Sequence, residues 1–138
     1  MLRELNIPTQ KENESTPDKK LIAEAAEKAK DFDKIVVFAG LTDYVESEGC
    51  ARENMRLPEN QLALIKELRR SGKRIVGVLF GGGAVGVPFS DSVNGILDMF
   101  LPGQNGRSAV KALLFGEASP SGRLAEIWAE KYEYVSHS

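Results

Sequence analysis

Apolar residues along this chain fall either at helical spacing or in short unbroken runs. Leu21, Ile22, Ala25 and Ala29 share one helix face. Thr16-Pro17 ahead of them reads as N-cap and first helical position, with Asp18 in the first turn, which predicts a helix over 17–31. Ile35-Val36-Val37-Phe38-Ala39 then runs apolar without a break and closes on Gly40. Continuous rather than alternating apolar character predicts a strand buried on both faces. Pro58 opens a second helix to about Ser71, with Leu62, Ile65 and Leu68 inward and Gly72 at its end. Arg74 to Phe80 forms a second buried run, followed by the glycine cluster 81–86. Residues 95–101 read as a third strand, and Pro102-Gly103 turns the chain. Ala109, Val110, Leu113 and Leu114 mark a helix over 105–115 that Gly116 closes. The tail 124–138, with Trp128, Tyr132 and Tyr134, is expected to dock on the surface or add an edge strand.

Helix and strand alternate, so the expected fold class is α/β, a mainly parallel sheet flanked by helices in a flavodoxin-like sandwich. Residues 1–16 are polar and unpatterned and read as a flexible lead, leaving 17–138 as the domain. In such sheets the functional loops leave the carboxyl ends of the strands. That directs attention to residues 40–57, 81–93 and 102–107.

Composition narrows the function classes. With 138 residues the chain is about one domain and too short for a (β/α)8 barrel, which takes about 250. Lys and Arg total 18 against 20 Asp and Glu, a net charge of −2, so no nucleic-acid partner is expected. The single cysteine, Cys50, makes no internal disulfide. No apolar run reaches membrane-spanning length and the first residues show no apolar signal segment, so the expectation is a cytoplasmic protein without a membrane partner.

Three groups of residues could carry chemistry. Gly81, Gly83 and Gly86 fit G-x-G-x-x-G after a strand. A dinucleotide loop needs a helix to start at once, whereas extended Val87-Pro88-Phe89 follows, so a tight turn beside a ligand or a neighbouring loop is the better reading. His137 is the only histidine and sits next to the terminus, and Cys50 has no partner histidine nearby, so neither supports a nucleophilic triad or a metal site. No metal and no cofactor are implied. The segment from Glu46 to Arg52 differs, placing Glu46, Glu48 and Arg52 around Gly49 in the loop after the first buried strand.

That segment also carries a resemblance. GLTDYVESEGCARENMRLPENQLALI, residues 40–65, resembles the C-terminal domain of family 3 glycoside hydrolases. The family shows Gly-Leu, then Glu-x-Glu-Gly-x-Asp-Arg, then Met/Leu-x-Leu-Pro-x-x-Gln. A second block runs from Leu101-Pro102-Gly103-Gln104 to Ala109. A third, LLFGEASPSGRLAE over 113–126, is similar to the family's Leu-Phe-Gly and Pro-Ser-Gly-(Lys/Arg)-Leu signature. The blocks cover about residues 20–135, and the nearest subgroup resembles bacterial β-glucosidases.

The resemblance implies part of a retaining enzyme acting on terminal β-linked sugars. A barrel domain, absent here, would carry the aspartate nucleophile, and the α/β sandwich would supply the acid/base glutamate and part of the sugar pocket. This chain matches only the later part of that sandwich, so its sheet is expected to be incomplete. By motif position Glu48 is the acid/base candidate, Glu46 the runner-up, and Arg52 a loop-fixing or substrate-pocket residue. Ala51 stands where the family has Asp, which removes an expected partner of Arg52, and Ala84 and Phe89 stand where Pro and Trp are common. Alone, the chain is expected to be inactive, because double displacement needs two carboxyl groups. The alternatives are a non-catalytic carbohydrate-binding or assembly module of the same fold, and a small nucleotide-binding protein.

Overall fold

The computed structural model describes residues 16–42, 45–46, 52, 54–124 and 128. Helix α1 spans Lys19–Ala29, strand β1 Lys34–Gly40, helix α2 Glu59–Arg69, strand β2 Arg74–Phe80, strand β3 Gly95–Asp98 and helix α3 Gly106–Leu114. The three strands form one sheet in the order β1-β2-β3, parallel throughout. Lys34 pairs with Arg74 and Gly40 with Phe80, so β1 and β2 are in register over their full length, with α2 as the connection between them. The predicted α/β class and the parallel pairing of the first two strands hold.

The core forms on one face of the sheet. Val37 and Ala39 of β1 and Ile75 and Leu79 of β2 meet Ile65 and Leu68 of α2. Leu57, Val85 and Phe89 close the cluster from the loops at its edge. Val78 points from the opposite face of β2, because side chains alternate along a strand, and it too is fully buried. The central strand therefore meets the expectation of burial on both faces.

β1 does not. Among the described residues it is an edge strand, on which Val36 is 42% and Phe38 60% exposed, while Val37 and Ala39 are buried. Helix α2 covers only one face of it, and among the described residues Phe38 gains just an offset stack on Phe80, with ring centroids 6.2 Å apart. Its apolar run therefore has cover for half of its side chains.

Boundaries shift where local chemistry competes. Helix α1 is capped by Asp18 rather than Thr16, since the Asp18 carboxylate accepts from the amides of Lys20 and Leu21 at 2.9 and 3.1 Å. Leu21 was expected on the inward stripe of α1 and is instead 62% exposed. The third strand ends at Asp98, short of the predicted 101, because Phe100 takes a positive φ of 49° that extended backbone cannot absorb. Gly72 and Gly116 follow α2 and α3 with φ of 69° and 75°, the left-handed geometry that stops a helix. Most of the predicted lead and tail, together with Cys50 and His137, lie outside the described residues, and so do Glu48 and Ala51.

Candidate functional site

The carboxyl ends of β1 and β2 open side by side, and the loops leaving them meet. Gly40 ends β1 so close to its neighbour that a Cβ there would lie 2.2 Å from the Phe80 carbonyl oxygen, which only glycine permits. Gln61, on the first turn of α2, holds this exit from above. Its side-chain oxygen accepts from the Gly40 amide at 2.9 Å and its amide donates to the Gly40 carbonyl at 3.0 Å. Leu57 beside it is buried, and Met55 accepts the Gly86 amide at 2.5 Å, tying this loop to the one after β2.

After β1 the chain turns at once, with the amides of Val45 and Glu46 both donating to the Thr42 carbonyl, at 2.8 and 2.9 Å. This turn carries Glu46 across to the glycine cluster. One Glu46 oxygen, Oε2, accepts from the Gly82 amide at 2.6 Å, a short charge-assisted bond. The other, Oε1, stands 3.6 Å from a terminal nitrogen of Arg52. The second terminal nitrogen of Arg52 donates to the Ala84 carbonyl. A Cβ on Gly82 would lie 3.3 Å from all three atoms of the Glu46 carboxylate, so the glycine makes room for that group. The glycine cluster is thus a turn against a neighbouring loop. No α-helix starts behind it, only a short 3-10 turn at Ser90–Ser92, which leaves no dipole for a pyrophosphate.

The structure brings two of the three predicted site residues together, Glu46 and Arg52, while Glu48 lies between them outside the described residues. The missing acid at position 51 does not leave Arg52 without partners. Its guanidinium is largely buried: one terminal nitrogen donates to the Ala84 carbonyl, and the other lies 3.6 Å from Glu46 with no hydrogen-bond partner among the described residues. Sequence reasoning missed Gln61 as the residue that fixes the loop's origin, although its place in Leu-Pro-x-x-Gln was visible. It also missed Asp98. This carboxylate ends β3 beside a cavity of about 610 Å³ that Ser119, Arg123 and Trp128 also line. One Asp98 oxygen is buried without a hydrogen-bond partner among the described residues, and burial raises the acid's pKa above its ordinary value. Among the described residues no group of three His, Cys, Asp or Glu side chains could hold a metal ion, and no helix is long and apolar enough to cross a membrane.

Comparison with known proteins settles the family. The profile of the glycosyl hydrolase family 3 C-terminal domain matches residues 3–138. The chain belongs to that family. It is 44% identical over 117 residues to thermostable beta-glucosidase B of Acetivibrio thermocellus, covering 85% of this chain and 16% of that protein. It is 39% identical over 110 residues to an exo-alpha-(1->6)-L-arabinopyranosidase of Bifidobacterium longum, covering 79% of this chain and 14% of that one. Among solved structures, the family 3 beta-glucosidase of Bifidobacterium adolescentis superposes with a TM-score of 0.80 at 41% identity, over 83% of this chain and 17% of the other. The chain is thus a family 3 C-terminal domain of the kind found in beta-glucosidases, and it spans about a sixth of the length of these relatives.

Proposed function

We propose that this domain supplies the acid/base carboxylate, Glu48, and part of the sugar pocket to a retaining glycosidase that cleaves terminal β-linked glucosides. The observation that carries the reading is the seat of the motif. Glu46 and Arg52 flank Glu48 in sequence, and both are fixed to the turn at the carboxyl end of β2, where loops of a parallel sheet bear function. Retaining hydrolysis uses two carboxyl groups about 5 Å apart across the scissile bond. One protonates the leaving oxygen, then deprotonates the incoming water, and the other attacks the sugar. In this reading Glu48 is the first, Arg52 lines the pocket rim, and the nucleophile comes from a separate barrel domain.

The acid must stay protonated near neutral pH, which takes burial or a neighbouring negative charge. An opposing domain would provide that enclosure, and the uncovered apolar face of β1 is in keeping with packing inside a larger protein. The chain by itself therefore turns over no aryl β-glucoside. The relatives' names give both glucosidases and an arabinopyranosidase, so the glucoside assignment follows the closer sequence match. A non-catalytic carbohydrate-binding or assembly module is the second reading, favoured by the alanine at position 51.

Grafting tests the two readings. The matching segment of the Bifidobacterium adolescentis beta-glucosidase is replaced by this chain, and p-nitrophenyl β-glucoside hydrolysis is followed. Turnover by the hybrid, with none by the isolated chain, is expected. A folded hybrid that binds glucose without hydrolysing the glucoside would favour the module.

A further inference from the structure

We propose that Asp98 and Phe100 are positioning residues, which slip the ladder between β2 and β3 by one residue and so aim the turn Gly81–Ala84 at Glu46 and Arg52. The inference deepens the proposed function and rests on its reading of this end of the sheet as the site.

The slip shows in the hydrogen bonds at the strand ends. β2 and β3 run parallel, with Val78 opposite Leu97 and Leu79 opposite Asp98. A parallel ladder passes its bonds back and forth between the strands at even spacing. The next bond is in place, with the Met99 amide on the Leu79 carbonyl at 3.0 Å. Continued regularly, the ladder would then give the Gly81 amide to the Met99 carbonyl. That amide goes instead to the Phe100 carbonyl, one residue further on, at 3.2 Å. One side has used an extra residue for the same step, as in a β-bulge, and such steps re-aim the chain where pairing ends.

Two residues make the slip. Phe100 has a φ of 49°, the only positive φ outside glycine among the described residues, and a bulky side chain is strained there. Asp98 offsets that strain. Its Oδ1 accepts from the Phe100 amide at 3.3 Å, the bond to the residue two ahead by which an aspartate folds a turn around itself. Its Oδ2 is buried with no hydrogen-bond partner among the described residues. A left-handed aromatic residue and a half-satisfied carboxylate each cost stability, and such costs gather where geometry serves function.

What the slip delivers is the turn. Gly81 is buried, with its amide fixed to the end of β3. The next amide, of Gly82, donates to Glu46 Oε2 at 2.6 Å, and the Ala84 carbonyl accepts from Arg52. Both side chains are therefore seated on backbone groups whose direction β3 sets. Side chains at a site are held only as well as the groups behind them are fixed.

The test uses the 138-residue chain in solution and needs no turnover. Amide exchange and amide shifts are followed by NMR for wild type, Asp98→Ala, Asp98→Asn, Phe100→Gly and Phe100→Val. Asp98→Ala should speed exchange at Gly81 and Gly82 about tenfold, with the Ile75 and Val78 amides unchanged. Asp98→Asn keeps the acceptor and should restore both. Glycine takes a positive φ freely and a β-branched residue resists it. Phe100→Gly should therefore leave the two amides as in wild type, and Phe100→Val should loosen them. The aim of the turn has its own readout. In wild type the Gly82 amide proton should move with pH as Glu46 ionises, and this movement should shrink in Asp98→Ala and Phe100→Val and return in Asp98→Asn. The proposal is overturned if Asp98→Ala leaves both glycine amides as in wild type, or if Phe100→Gly loosens them as much as Phe100→Val does. It is equally overturned if faster exchange spreads evenly through β2, which would make Asp98 a general stability residue. A failed slip leaves the glycosidase reading to be judged by the hybrid enzyme, and an inactive hybrid leaves the slip as measured in the chain.

Discussion

β1 and β2 carry nearly the same apolar sequence, Ile-Val-Val-Phe-Ala-Gly and Ile-Val-Gly-Val-Leu-Phe-Gly, yet they live in different surroundings. β2 is the middle strand, and both of its faces are packed. Among the described residues β1 is an edge strand, with one face on the core and Val36 and Phe38 of the other face exposed. An apolar run reports the burial for which a strand is suited, while its neighbours decide how much of that burial it receives. β2 is held by its faces, and β1 by its ladder to β2 and by the contacts at its exit, Gly40 against Phe80 and Gln61 around Gly40.

The sharpest way to break this comparison is a pair of truncations measured by urea unfolding. Ile75→Ala opens a cavity under a fully buried side chain and should cost about 2–5 kcal/mol. Phe38→Ala removes an exposed ring and should cost less than about 1 kcal/mol. Equal costs would mean that the second face of β1 is covered in solution. Next comes the exit of β1. Gly40→Ala drives a methyl into the Phe80 carbonyl and should cost about 1–3 kcal/mol, with the amide shifts of Leu41 moving as the strands part. Somewhat below that, Gln61→Ala removes both bonds to Gly40 and should cost about 1–2 kcal/mol while leaving the exchange of β2 amides unaltered.

The smallest effect belongs to Asp98 at the end of β3. Its folded pKa is raised by burial, so the folded state holds this proton more tightly than the unfolded chain does. Stability from this group is fully present below the unfolded carboxylate value and is lost as pH rises through the folded one. Asp98→Asn should therefore flatten part of the stability curve across the acid range and match wild type most closely at low pH. A variant less stable than wild type at neutral pH would contradict this sign.

Much of the fold was legible because its signals are local. Pro58 and Gly72 bracket α2, and the runs before Gly40 and Gly81 name the two paired strands. The errors came where neighbours decide. Nothing in Val36 or Phe38 says that they stand exposed on the outer strand of the described sheet. Leu21 falls on the stripe of α1 but is 62% exposed among the described residues. Phe100 breaks β3 through a backbone angle that its side chain does not announce. At the site, residue types and spacing pointed to Glu46, Glu48 and Arg52, but not to the groups that Glu46 and Arg52 meet. Those partners are the Gly82 amide and the Ala84 carbonyl, which lie some thirty residues on and are backbone groups that any sequence possesses.

The central claim is that Glu48 is the acid/base carboxylate, and leaving-group dependence tests it most directly. In the hybrid carrying this chain, kcat/KM is compared for an alkyl β-glucoside, whose departing oxygen needs a proton, and for 2,4-dinitrophenyl β-glucoside, whose departing oxygen does not. Glu48→Gln should lower kcat/KM on the first by about 10²–10⁴ and on the second far less, while Glu46→Gln should lower both by the same modest factor. If Glu46→Gln shows the leaving-group dependence and Glu48→Gln does not, the two glutamates have been assigned the wrong way round and the account fails.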